Sequence, residues 1–79
     1  MDELEAGKQA FVDLVRQLDT EVQVVIPTAP SNGQFLIALA KGANRKFVTV
    51  PEDDLLDLPG VQDVQTQILQ MLKEALSQL

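Results

Sequence analysis

The feature that most constrains this fold is a run of six consecutive apolar residues, at positions 35–40, with a turn sequence on each side. Residues 30–33 read Pro-Ser-Asn-Gly, in which proline fixes φ and the Asn-Gly pair tolerates positive φ. Residues 41–44 read Lys-Gly-Ala-Asn and predict a second turn. The segments beyond the turns, 22–26 and 45–50, are rich in β-branched residues. Three strands joined by short turns must be antiparallel, because parallel neighbours need a crossover of about a dozen residues or more.

Helical periodicity occupies the two ends of the chain. Residues 2–19 carry apolar side chains at spacings of three, four and seven, and Asp2 and its acidic neighbours lie where the helix dipole favours them. Within this helix Gly7 costs about 1 kcal/mol relative to alanine, or it lets another backbone approach closely. Residues 61–79 form a second amphipathic stripe. The outer face of that stripe is rich in glutamine, which indicates either solvated surface or a helix-to-helix contact in an assembly.

A shorter helix is predicted over residues 52–58, where a Pro-Gly pair then breaks it. Two starts fit this helix. Thr49 and Glu52 have the spacing of a capping box, whereas Pro51 is suited to the first helical position with Val50 as the cap.

Together these elements predict an α+β fold of order α-β-β-β-(short α)-α. A three-stranded antiparallel meander carries two amphipathic helices packed mainly on one face, and residues 35–40 form the central strand. A chain of 79 residues is one domain at most, so we expect residues 1–79 to form a single α+β domain.

The central strand is apolar on both of its faces, whereas an antiparallel strand with one face in water normally alternates. Two helices, each about 10 Å across, are needed to cover one face of a sheet about 14 Å wide. The other face is then an exposed apolar surface, which is typical of a contact surface. On the third strand either Phe47, or Val48 together with Val50, faces outward. The predicted interface residues are Val25, Leu36, Ala38, Ala40 and Val48.

Three interpretations of that surface are open. In the first, two copies of the chain form a homodimer, pairing sheet against sheet or edge against edge. In the second, a different protein binds there. In the third there is no partner, because one helix covers each face of the sheet or the short helix folds beneath it.

The residue types that are missing exclude much catalytic chemistry. The chain has no His, Cys, Tyr or Trp, so it lacks the usual general base, the thiol nucleophile and the best stacking platforms. A Ser/His/Asp arrangement, a disulfide framework and a zinc site made of His or Cys are therefore impossible. We expect a protein without enzymatic activity and without a cofactor.

Carboxylates provide one alternative, a small-ligand or cation site, or a carboxylate-only enzyme. The residues concerned are Glu52, Asp53, Asp54 and Asp57. They lack the alternating oxygens and the glycine of a Ca²⁺ loop. Acidic residues directly after Pro51 also suit the start of a helix, which is the simpler interpretation.

Cations provide another alternative. Lys41, Arg45 and Lys46 lie together around the second turn and are candidates for contact with an acidic partner, a phosphate or a nucleic acid. The segment is not followed by a helix, so it lacks the geometry of a phosphate-binding loop. The net charge of −6 argues against nucleic acid and against anionic membranes.

The sequence thus predicts a small protein-interaction domain, homodimeric and resembling a chaperone or adaptor in its mode of action. The absence of cysteine fits a reducing compartment. The longest apolar run is far shorter than the roughly 20 residues that span a bilayer. We therefore expect a cytoplasmic protein.

Overall fold

The computed structural model describes residues 3–79, so the predicted role of Asp2 lies outside the described residues. The elements follow the predicted order, and the predicted α+β meander is confirmed. In chain order they are α1 (Glu3–Leu18), β1 (Gln23–Val25), β2 (Gln34–Lys41), β3 (Asn44–Pro51), α2 (Glu52–Asp57) and α3 (Gln62–Leu76).

The three strands form one antiparallel sheet in the order β1-β2-β3. Both turns around β2 use positive φ, which the sequence predicts for the Asn-Gly pair: Asn32 and Gly33 have φ of 54° and 75°, and Gly42 has φ of 61°. Gly42 is the first of two residues between the paired Lys41 and Asn44, which is the position that a type II′ hairpin reserves for glycine. This turn fixes the register of β3 against β2.

All three helices pack on one face of the sheet, which makes that face the core. The alternative with one helix on each face, or with the short helix beneath the sheet, is therefore wrong. Two fully buried leucines, Leu55 of α2 and Leu58 just after it, belong to the same cluster as the inward side chains of β2. The buried core comprises Phe11, Val15, Val22, Phe35, Ile37, Leu39, Val48, Val50, Leu55, Leu58, Ile68, Leu72 and Ala75.

Gly7 is the point at which α1 rests on α2. A Cβ atom added to Gly7 would lie 2.0 Å from the backbone oxygen of Leu55, which is far inside van der Waals contact. Gly7 itself is buried. The second interpretation of Gly7, close approach by another backbone, is confirmed.

The helix α2 begins at Glu52, as predicted, but its capping differs from both predictions. Its cap is Pro51, which is also the last residue of β3, and no side chain caps the helix. The backbone N–H of Glu52 instead donates to the carbonyl of Gly33 at 2.9 Å. Strand pairing thus continues into the first residue of the helix, and the sheet rather than a side chain satisfies this donor.

Candidate interaction surface

We call the sheet face that lies opposite the helices the open face, and a row of apolar side chains crosses it. Val25, Ala38 and Phe47 lie side by side across the three strands, because each is the direct partner of the next. Val25 is 63% exposed, Leu36 57% and Phe47 55%, which is far above the exposure of the core residues. The open face comprises Gln23, Val25, Gln34, Leu36, Ala38, Ala40, Arg45, Phe47 and Thr49.

Four of the five predicted interface residues lie on the open face, and Val48 does not. Val48 pairs with Ile37 and is 7% exposed, so the prediction that it faces outward is wrong. Phe47 takes its place. The alternation of β3 could have decided this, because Arg45 and Thr49 share the parity of Phe47 and are polar, as a solvent-facing set should be.

Charge is distributed unevenly between the helices and the sheet. Of the described residues, every Asp and Glu lies in a helix or in the connection between α1 and β1, and the three strands contain none. The helices lie on the other side of the sheet. The open face is therefore free of carboxylates in a chain whose net charge is −6, and Arg45 is its single ionisable side chain.

Lys41 is held by the connection between α1 and β1. Its Nζ lies 2.7 Å from Oδ2 of Asp19 and 4.0 Å from Oε2 of Glu21. The hydrogen bond from Lys41 lowers the pKa of Asp19, helped by the backbone N–H of Glu21, and the same bond raises the pKa of Lys41. Lys41 therefore ties the end of α1 to the sheet.

The other two predicted anion contacts diverge. Lys46 is on the core-face side of β3, where its Nζ donates to Oε1 of Gln78 beyond the end of α3. Arg45, one residue earlier, is exposed on the open face. The structure thus places Lys41, Arg45 and Lys46 in three separate settings and does not bring them together around one anion.

The acidic residues of α2 form its first turn, with Glu52, Asp53 and Asp54 at the positive end of the helix. Within residues 3–79, no group of three acidic side chains is placed to hold a metal ion. The shift at Asp19 is downward, which is opposite to the raised pKa that a carboxylate general acid needs.

Hollows on the surface are lined by mixed side chains. One of about 480 Å³ lies between α1 and the edge of β1, beside Val12, Arg16 and Val24. Two others adjoin α3: one of about 630 Å³ is lined by Gln67, Gln70, Met71, Lys73 and Glu74, and one of about 230 Å³ by Lys46, Val48, Met71, Glu74, Ala75 and Gln78. The hollow of about 230 Å³ runs beside the outer edge of β3, the edge that is not paired with β2.

No protein-family model matches this chain, and neither a curated protein nor a solved structure matches it. Across residues 3–79, no helix combines the length and the apolar character that crossing a membrane requires. Of the surfaces described above, the open face is the most distinctive.

Proposed function

We propose that this chain is a non-enzymatic protein-interaction domain, homodimeric and acting in the cytoplasm like a small chaperone or adaptor. The observation that carries the proposal is the open face. Three large apolar side chains on this face, Val25, Leu36 and Phe47, are each more than half exposed, and such a surface is of the kind that marks a binding site.

A second copy of the chain is the partner that fits this face. Two sheets pack face to face about 10 Å apart, and the small side chains of Ala38 and Ala40 leave room for such an approach. Phe47 supplies an aromatic anchor of the type that dominates binding energy at interfaces. Because the open face lacks carboxylates, two acidic chains repel one another least when they meet here.

The test is the solution mass of the protein with Ala38 replaced by glutamate. Ala38→Glu puts a carboxylate in the centre of the apolar row, where burial against a second sheet would strand an unpaired charge. We expect it to abolish the face-to-face contact while the circular dichroism of the fold is retained.

Gln62→Glu is the matched control, because it adds the same charge at an exposed position in the first turn of α3. We expect this variant to keep the wild-type mass. A wild-type chain that sediments as a monomer at millimolar concentration would contradict the proposal, as would an Ala38→Glu variant with unchanged assembly.

A further inference from the structure

The outer edge of β3 is a second surface with its own chemistry. β3 is an end strand of the sheet, and in an antiparallel ladder alternate residues direct their backbone N–H and C=O groups to opposite sides. Lys41 and Asn44 flank the two-residue turn and so form a hydrogen-bonded pair, which sets the phase of the ladder. The bond from Glu52 to Gly33 agrees with that phase.

It follows that Arg45, Phe47 and Thr49 direct their backbone groups away from β2, toward solvent. The hairpin turn bounds this edge at one end. Pro51, which has no N–H, bounds it at the other. The outward groups therefore occupy a short window that is symmetric about Phe47.

We infer that a second copy of the chain pairs with this edge, antiparallel, with a twofold axis through Phe47. The contact is distinct from the face-to-face contact proposed above. In this register Arg45 lies opposite Thr49 of the second copy, and Phe47 lies opposite its own equivalent. Each such pair exchanges two N–H···O bonds, so every outward group in the window is satisfied. The symmetry of the window makes a second copy the matching partner.

The charges around the edge suit the same register. Lys46 lies opposite Val48 of the second copy, so no two cations stand directly opposite one another. Val48 and Glu74 line the same hollow of about 230 Å³ beside β3, together with the chain's own Lys46, whose Nζ is held by Gln78. Lys46 of the second copy therefore enters beside Glu74, and the twofold axis produces this pairing of opposite charges twice.

The glutamine-rich side of α3 finds a role in this arrangement. The hollow that contains Gln67 and Gln70 shares Met71 and Glu74 with the hollow beside β3, so the two form one surface along the edge. Pairing two β3 edges brings this side of α3 toward its equivalent in the second copy. The surface combines two uncharged amides and a flexible methionine with one cation, Lys73, and one carboxylate, Glu74, so it adds no net charge to a contact between two acidic chains.

Edge pairing joins two three-stranded sheets into one six-stranded sheet with all helices on the same side. Both open faces then form one continuous apolar surface with the two Phe47 rings at its centre. Where the face-to-face homodimer proposed above also forms, two such homodimers join through their edges into a tetramer of four 8.7 kDa chains, built from two six-stranded sheets.

The test substitutes the outward backbone donor of Thr49. Thr49→Pro removes an N–H that β2 does not use, and proline is tolerated at such edge positions. Thr49→Val keeps the N–H and the β-branched shape and is the matched control. We expect Thr49→Pro to halve the solution mass measured by sedimentation, Thr49→Val to keep it, and Ala38→Glu to halve it independently.

The outcomes separate the two contacts. A mass that Thr49→Pro leaves unchanged and Ala38→Glu lowers overturns the edge contact and retains the face-to-face contact. The converse result supports the edge and overturns the face-to-face contact. A monomeric wild type overturns both.

Hydrogen exchange on the wild type tests the edge without any substitution. We expect the amides of Arg45, Phe47 and Thr49 to become protected at least tenfold as protein concentration rises through the association range. The amide of Val48, which bonds to β2 in every state, serves as the reference. Fast exchange of all three outward amides in the fully associated protein would overturn the inference, even where Thr49→Pro had failed to fold.

Discussion

The two faces of β2 offer a comparison within a single strand. Phe35, Ile37 and Leu39 are 0% exposed, whereas Leu36, between the first two, is 57% exposed. Both sets are apolar and belong to the same ladder. The difference arises because α1, α2 and α3 all lie on one side, so burial on this strand reports where the helices pack rather than how apolar each residue is.

The side that the helices cover is the side with the larger side chains. Phe35, Ile37 and Leu39 bury more apolar area than the residues that alternate with them, two of which are alanines. Burial contributes roughly 25 cal/mol per Å². The helices therefore stabilise the fold most by packing on this face, which leaves the weaker set exposed.

The largest effect on stability is expected from Ile37, which lies on the core face of β2 next to Leu36 on the open face. Ile37→Ala should lower the free energy of unfolding by about 2–5 kcal/mol, since it leaves a cavity in the core. Leu36→Ala should change it by less than about 1 kcal/mol in the monomer, because Leu36 is already largely in water. Urea unfolding at low protein concentration measures both. Equal losses would mean that the open face is covered within the chain.

A substitution at Gly7 tests the close contact between α1 and α2 on the helical side of the sheet. Gly7→Ala should destabilise the fold by about 1–3 kcal/mol or more, because the new methyl group meets the carbonyl of Leu55 and α1 must shift away from α2. This loss exceeds the gain in helix propensity of about 1 kcal/mol.

Gly60→Ala is the control for this substitution, since a Cβ atom there meets nothing within 4 Å. We expect thermal unfolding to show a clear drop for Gly7→Ala and little change for Gly60→Ala. Similar behaviour of the two variants would mean that α1 does not depend on close contact with α2.

Adjacent residues of β3 sharpen the comparison further. Val48→Thr should cost about 1–3 kcal/mol, because it places a hydroxyl without a partner in the core. Phe47→Thr should change the stability of the monomer by about 0.5 kcal/mol or less, and it should reduce the binding of a hydrophobic dye to the native protein. Denaturant titration measures the stability of both variants, and dye fluorescence measures the binding of the dye to Phe47→Thr. A larger loss at Phe47 than at Val48 would reverse the assignment of the faces.

The smallest effect concerns the pair of Asp19 and Lys41. Because the folded-state pKa of Asp19 is lowered from 3.8, its contribution to stability is present above that pH and is lost as pH falls through the lowered value. Because the pKa of Lys41 is raised from 10.5, its contribution is present below that pH and is lost as pH rises through the raised value.

Asp19→Asn should therefore differ in stability from the wild type between about pH 4 and pH 10 and converge with it in acid. Unfolding measured across this range checks the sign. A constant difference down to pH 2 would show that the contact acts without its charge. The packing on the two faces of the sheet should not change in Asp19→Asn, which makes this variant a reference for the substitutions above.

Most elements of the fold were predictable because their signals are local. The turn at Asn32 and Gly33 and the turn at Gly42 need positive φ, and their residues provide it at little cost. The capping of α2 was not predictable, although its start at Glu52 was, because the backbone donor of Glu52 is satisfied by Gly33 across the sheet. A bond between residues distant in sequence leaves no local pattern.

The candidate site was predictable only in part. Val25 and Leu36 follow from the alternation of their strands, once one face is assigned to the helices. Val48 was misplaced because β2 is apolar on both faces and so does not indicate which side of β3 is inward. The polar residues at positions 45 and 49 contained that information.

By itself, the sequence determined the order of the elements, the antiparallel meander and a central strand that is apolar on both of its faces. These follow from turn chemistry and periodicity, which are local. Only the tertiary structure decided that all three helices share one side, that Phe47 rather than Val48 faces outward, and that the three clustered cations separate. Those outcomes depend on docking and on strand parity, which bring together residues that are far apart in the chain.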